Sequence, residues 1–287
     1  MAMIDINGIG IAYEIIGSGD KPAIITPGGR FSKDTPGVRD LAETLAKSGY
    51  KVVIWDRPNC GESDACFAGD SESIVNADTL AGLLRKLDMA PALVIGGSAG
   101  SRVSLIAARR HPQVVRKLVV LWITGGWPGL AGLVGVYCGN ALTAAKIGGM
   151  EAVAKDAGWK ENIERNPGNR ARILAQDVDT FCATMNQWGK SYIPEGGSPV
   201  PGLLPYDFFA LKMPVLIFRS GESDPHHPRA TTDEVHALIP NSKLVDPPWG
   251  DREWIERTSA VAAGEEKGLF VRWPLLAPYI LDFVNKN

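Results

Sequence analysis

The stretch Gly96-Gly97-Ser98-Ala99-Gly100 constrains this chain more than any other. It follows the apolar run Pro91-Ala92-Leu93-Val94-Ile95 directly and precedes a segment of helical character reaching about His111. A strand that passes straight into a helix must turn sharply, and small side chains at 96, 97, 99 and 100 relieve the crowding at that turn. Such a turn lifts the Ser98 hydroxyl clear of the fold and aims the first amides of the following helix at a reacting carbonyl. A serine presented this way reads as a nucleophile. The competing reading is a glycine-rich packing turn.

The rest of the chain supplies the scaffold that such a turn needs. Ile4 and Ile6 face Ile9, Ile11 and Tyr13 across Asn7-Gly8, a strong hairpin signal. Pro22–Thr26 is a short apolar run closed by Pro27-Gly28-Gly29, and Lys51–Trp55 is the next strand after helical spacing over 36–49. Leu80, Leu83, Leu84 and Leu87 form a helical stripe with Asp70 or Ser71 as N-cap, and Lys117–Trp122 reads as a strand. From about Gly125 to Tyr206 the rhythm breaks into Ala-rich helical stretches with joints such as Pro194–Pro199. Strand–helix alternation resumes with Pro214–Phe218, a helix opened by the capping box Thr231 to Glu234, the strand Lys243–Val245, and a last helix over about 274–285. The expectation is an α/β fold: a mostly parallel, twisted sheet flanked by helices, formed by residues 1–124 and 207–287, with 125–206 inserted as a helical cap.

Composition narrows the partners. A net charge of −2 leaves no electrostatic footprint for nucleic acid or an anionic membrane. Cys60, Cys66, Cys138 and Cys182 are scattered without metal or redox spacing, so no metal and no organic cofactor are expected. Met-Ala-Met-Ile-Asp lacks a basic start followed by an apolar core, which predicts no signal peptide. With no apolar run approaching the ~20 residues that span a bilayer, the expected location is cytoplasmic. The expected partner is a small-molecule substrate, and a homodimer is left open.

With these motifs the chain resembles the α/β-hydrolase fold family over almost its whole length. The resemblance implies that Pro27-Gly28-Gly29 stands where the family carries its oxyanion loop, so that the amides of Gly29 and Ala99 would hold the oxyanion. Asp56-Arg57-Pro58-Asn59-Cys60-Gly61-Glu62-Ser63-Asp64 looks like the family's D-x-x-G-x-G-x-S loop, with Asn59 in place of one glycine. Arg219–Pro225 follows the strand after which the family places its acidic residue, and Asp224 is the match; the plainer reading is an Asp-Pro turn.

The family's histidine, normally found after the last strand, is missing. That place reads Asp246-Pro247-Pro248-Trp249-Gly250-Asp251, with Asp251 where a histidine is expected. Of the four histidines, His111 suits a helix C-terminus and His236 a solvated helix position. His226 and His227 remain, in the loop after Asp224, at the sheet edge where sites of open α/β folds form. His227 is preferred, because His226 is closer to Asp224 and to the rigid Pro225. Its orienting carboxylate is Asp224, or Asp251 or Asp246 from the next loop. Arg30 is a candidate for a substrate carboxylate, and Trp122, Trp127 and Trp249 for an apolar pocket wall.

The expected activity is hydrolysis of a carboxylic ester or lactone of a small, largely apolar substrate through an acyl-enzyme on Ser98. Two alternatives stand beside it. One is hydrolysis of a carbon–carbon bond in a ring-cleavage diketone acid. The other is a degenerate, non-hydrolytic ligand-binding or lyase member of the fold.

Overall fold

The computed structural model describes residues 2–286. β1 (Ala2–Ile6) and β2 (Ile9–Ile16) form the expected hairpin, with Asn7 and Gly8 both at positive φ as a two-residue turn requires. β3 (Lys21–Thr26), α1 (Val38–Ala46), β4 (Tyr50–Trp55), α2 (Glu72–Lys86), β5 (Ala92–Gly97), α3 (Ala99–Arg110) and β6 (Val115–Leu121) alternate as the apolar runs predict. Six helices follow: α4 (Gly126–Val134), α5 (Asn140–Lys155), α6 (Ala157–Arg165), α7 (Gly168–Leu174), α8 (Val178–Lys190) and α9 (Pro205–Phe209). Then come β7 (Val215–Phe218), α10 (Arg229–Leu238), β8 (Ser242–Val245), α11 (Glu253–Ala262) and α12 (Ala277–Lys286).

The eight strands form one sheet in the order β1-β2-β4-β3-β5-β6-β7-β8, parallel from β4 onward. The central strands are buried on both sides, which is why they read as unbroken apolar runs. One face packs on α2, α3 and α10 through Leu80, Leu84, Ile106 and Val235, the other on α1 and α12 through Leu41, Leu45, Ile280 and Phe283. The chain leaves β3 toward β4 but leaves β5 toward β6, so the crevice where the winding reverses opens at the carboxyl ends of β3 and β5. Those ends are Thr26, followed by Pro27-Gly28-Gly29, and Gly97, followed by Ser98.

The helical cap has its own apolar cluster, centred on Trp159, Phe181, Met185, Trp188 and Tyr192. Val200 and Leu203, before Tyr206, pack with Phe208 in the cluster under the sheet. Polar side chains fasten the cap to the loop after β4. Asn162 Nδ2 donates to the carbonyls of Gly61 and Ser63 at 2.9 and 3.0 Å, and Asn169 both donates to Ser63 O and accepts from Ala65 N. Arg165 on α6 pairs with Asp34 and with Glu62.

Three local expectations change. The helix after β7 starts at Arg229 with Pro228 as its N-cap, so Thr231 lies inside it and opens no capping box. Helix α11 was not expected. No charged residue falls between Lys117 and Lys146, and the helices from Gly126 to Arg165 contain an 18-residue window of mean hydropathy 1.3, 28% of it buried. By length and composition alone this run is sufficient to cross a bilayer, contrary to the expectation.

Candidate active site

Ser98 sits at φ 56° and ψ −121°, a backbone conformation that costs a non-glycine residue about 1–3 kcal/mol. The surrounding structure holds it there. Its amide donates to Leu121 O at 3.0 Å, and its carbonyl accepts from the amides of Ser101 and Arg102 in the first turn of α3. Gly28 passes so close that a Cβ on it would lie 2.6 Å from Ser98 Cβ. The glycine is therefore a condition of the serine's position.

His227 approaches from the loop after β7. Its Nε2 lies 2.9 Å from Ser98 Oγ, and its Nδ1 lies 2.8 Å from Asp224 Oδ2. In the neutral ring the Nδ1–H donates to the carboxylate and Nε2 is left to accept the serine proton. Asp224 is 4% exposed, and its other oxygen accepts the amides of His226 and His227 at 2.9 and 3.0 Å. Burial alone would raise this carboxyl. The hydrogen bonds from His227 and the two amides outweigh it and hold the carboxyl below its ordinary value.

Ser98 and His227 open into a cavity of about 370 Å³ with mostly apolar walls. Gly29 and Ala99 line it, as do Trp122, Leu133 and Val136. Arg57, 1% exposed, donates to the carbonyls of both Gly28 and Gly29. Because a trans peptide points its N–H away from its C=O, fixing the Gly28 carbonyl also fixes the direction of the Gly29 amide.

The model of the α/β hydrolase fold family matches residues 24–126, which include the end of β3, the Gly28-Gly29 loop, the serine turn and β6. The chain has the α/β-hydrolase fold. It is 26% identical over 252 residues to the human serine hydrolase BPHL, an alignment covering 85% of this chain and 77% of that protein. It is 30% identical to a 2-hydroxy-6-oxononadienedioate/2-hydroxy-6-oxononatrienedioate hydrolase of Burkholderia vietnamiensis, over 41% of each chain. The structure of the enol-lactonase from Burkholderia xenovorans superposes with a TM-score of 0.60, at 21% identity, over 99% of this chain and 100% of that one. This α/β-hydrolase is a hydrolytic enzyme, like those relatives.

Several candidate residues of the α/β-hydrolase stand away from the serine. Asp251 is more than half exposed and pairs with Arg229, and Asp246 is 72% exposed and pairs with Arg219; neither touches a histidine. Arg30 does not line the cavity. Its guanidinium is committed to Glu72 at 2.9 Å and to the carbonyls of Asn59 and Tyr137, and it stacks on the rings of Tyr137 and Trp159. A buried cation without its own partner would be costly, so the fold satisfied Arg30 internally. Trp127 is 82% exposed, and Trp249 packs on Trp122 outside the cavity. His226 lines the cavity, with its ring against Trp254 rather than Ser98. His111 bonds Asp78 and His236 bonds Ser242, both far in the fold from Ser98.

Sequence reasoning missed Arg57 as the residue that holds the Gly28-Gly29 loop, although its place in the Asp56–Asp64 motif was visible. It also missed α11, which turns Trp254, Arg257 and Thr258 toward the cavity at spacings of three and four residues. That helical spacing was the available signal. Burial pushes the Cys60 and Cys66 thiols up and Cys138 up to about 12, so these three remain protonated at neutral pH. Among the described residues no three His, Cys, Asp or Glu side chains are grouped to hold a metal ion.

Proposed function

We propose that this hydrolase cleaves a carboxylic ester or lactone of a small, largely apolar substrate through an acyl-enzyme on Ser98. The observation that carries this reading is the 2.9 Å approach of His227 Nε2 to the Ser98 hydroxyl, with Asp224 on the far nitrogen. Ser98 Oγ bonds to the substrate carbonyl carbon as its proton passes to His227 Nε2. The negative oxygen is held by the amides of Gly29 and Ala99. Collapse breaks the C–O bond to the alcohol, which leaves with the proton from Nε2. Water then attacks the acyl carbon, giving one proton to His227 and releasing the acid as Ser98 regains its own. The cap helix α4 closes the cavity over the acyl group and favours apolar chains.

The test joins labelling to turnover. A fluorophosphonate should modify Ser98 and leave Ser98→Ala unmodified. Hydrolysis of 4-nitrophenyl butyrate should fall by about 100-fold or more in His227→Ala, and far less in His226→Ala. Failure of the wild-type chain to label or turn over would point to a non-hydrolytic ligand binder and sink the proposal.

A second reading, hydrolysis of a carbon–carbon bond in a vinylogous diketone acid, is favoured by the 30% identity to the oxononadienedioate hydrolase. A higher kcat/KM on such an acid than on short nitrophenyl esters would replace the first reading with this one.

A further inference from the structure

The cavity beside Ser98 has one permanently charged side chain on its wall. Among the described residues no Asp or Glu lines it; the ionisable groups that do are His226, His227, Tyr137 and Arg257. Arg257 is 3% exposed and sits on α11, one turn after Glu253, which is 2% exposed. Its Nε donates to Glu253 Oε1 at 2.7 Å, and its guanidinium lies 4.5 Å from the ring centre of Trp122. Nη1 and Nη2 have no hydrogen-bond partner among the described residues, yet neither is sealed from solvent as an orphaned buried atom. A carboxylate serving only to neutralise an arginine tends to take two parallel N–H groups. Here Glu253 takes the inner edge, Trp122 fixes the plane, and the outer fork is left open in an apolar wall.

We propose that Arg257 binds a carboxylate carried by the substrate, so that this enzyme acts on esters or lactones bearing a second, anionic carboxyl group. The fork's geometry suits a planar carboxylate held by two hydrogen bonds. Trp122 ties the two ends of the site together, since its ring also stacks against His227 at 6.2 Å between centres. An anion on Arg257 therefore lies on the same wall as the base. This inference rests on the ester and lactone reading for its catalytic readout, but binding of the anion does not depend on it.

Two substrates of one shape separate the charge from the fit: mono-4-nitrophenyl succinate, and 4-nitrophenyl 4-methylpentanoate, which lacks the carboxylate. The ratio of kcat/KM for the first over the second should fall by about 10- to 100-fold in Arg257→Met, the size expected for losing charged hydrogen bonds. The loss should appear in KM. Arg257→Lys, which keeps the charge without the fork, should restore only part of the ratio. An unchanged ratio in Arg257→Met, with the thermal midpoint preserved, would overturn the proposal. A separate arm uses Ser98→Ala and phenylacetate, followed by tryptophan fluorescence. Saturable quenching that disappears in Ser98→Ala/Arg257→Met supports the anion site even if no ester is hydrolysed, and equal quenching in both refutes it. If Arg257→Met does not fold, Arg257→Lys carries the test, since it keeps the charge against Glu253 and removes the fork; a succinate ratio equal to the wild-type value would overturn the proposal.

Discussion

Ser98 holds its unfavourable backbone angles because neighbouring residues leave no alternative, and the residue facing it across the crevice is as much a part of the site as the serine. In Gly28→Ala the added carbon would press on Ser98 Cβ and lie 3.1 Å from Oγ. The expected result is a fall in kcat of at least about 10-fold, because a small misplacement at the reacting atom is costly. Stopped-flow acylation should show the loss at the first step. Asp224 supports the other end of the hydrogen-bond line. Asp224→Asn keeps the shape but can favour the wrong ring tautomer of His227, so kcat should drop by about 10⁴-fold, with far-ultraviolet circular dichroism unchanged. A variant that retains activity would show that the imidazole is oriented by something else. At this scale the serine was legible from five residues, since strand, turn and helix are adjacent in the chain. The imidazole was narrowed to His226 or His227, and the choice between neighbours depended on loop curvature. Asp224 draws the amides of 226 and 227 onto one oxygen, and that curl turns the second ring, not the first, toward Ser98.

The helices decide how the cap is carried. Arg30, after β3, reaches Glu72 at the start of α2 and stacks under the cap residues Tyr137 and Trp159, so one buried cation joins three parts of the chain. Glu72 also accepts from Asn59 Nδ2 at 2.8 Å and from the Tyr192 hydroxyl at 3.2 Å. Glu72→Ala would leave Arg30 uncompensated and should lower stability by about 3–5 kcal/mol. The double change Arg30→Met/Glu72→Leu should cost clearly less. Urea unfolding of both variants measures the difference, and equal losses would contradict an ion-pair account. Arg30 was read from sequence as a candidate substrate contact beside a structural role, because it directly follows the Gly28-Gly29 loop. Its acidic partner lies 42 positions away, and pairing over that distance has no local periodicity. Helix α11 escaped notice for a related reason. Its apolar and charged residues are interleaved, and its buried pair, Glu253 and Arg257, is polar.

Across the whole molecule, cap and α/β layer meet through a charged cluster that should respond to acid. Lys33, 1% exposed, pairs with Asp34 at 2.9 Å and Glu62 at 2.6 Å, and Arg165 of the cap pairs with the same two carboxylates. Burial would raise the Asp34 carboxyl, but Lys33 and Arg165 hold it below its ordinary value. Its contribution is therefore present above the unfolded pKa, about 3.9, and is lost as the pH falls through the lower folded value. Asp56, beneath the cluster, is shifted upward by burial and acts in the opposite sense. Hydrogen exchange isolates the cap: amides of α6 should open below about pH 4 while those of α3 stay protected, and Asp34→Asn should flatten that step. Simultaneous opening of both helices would show that the cap is not a separate unit.

The alternation of apolar runs, the hairpin at Asn7-Gly8 and the serine turn were determined by the amino-acid order itself, because each depends on residues within a few positions of one another. The sheet order, the satisfaction of Arg30 and the placing of Arg257 on the cavity wall were decided only by tertiary structure. Sheet order and the contact of Arg257 with Trp122 depend on packing between segments far apart in the chain, and Arg30 finds its carboxylate 42 positions away, so local sequence carries no signal for any of them.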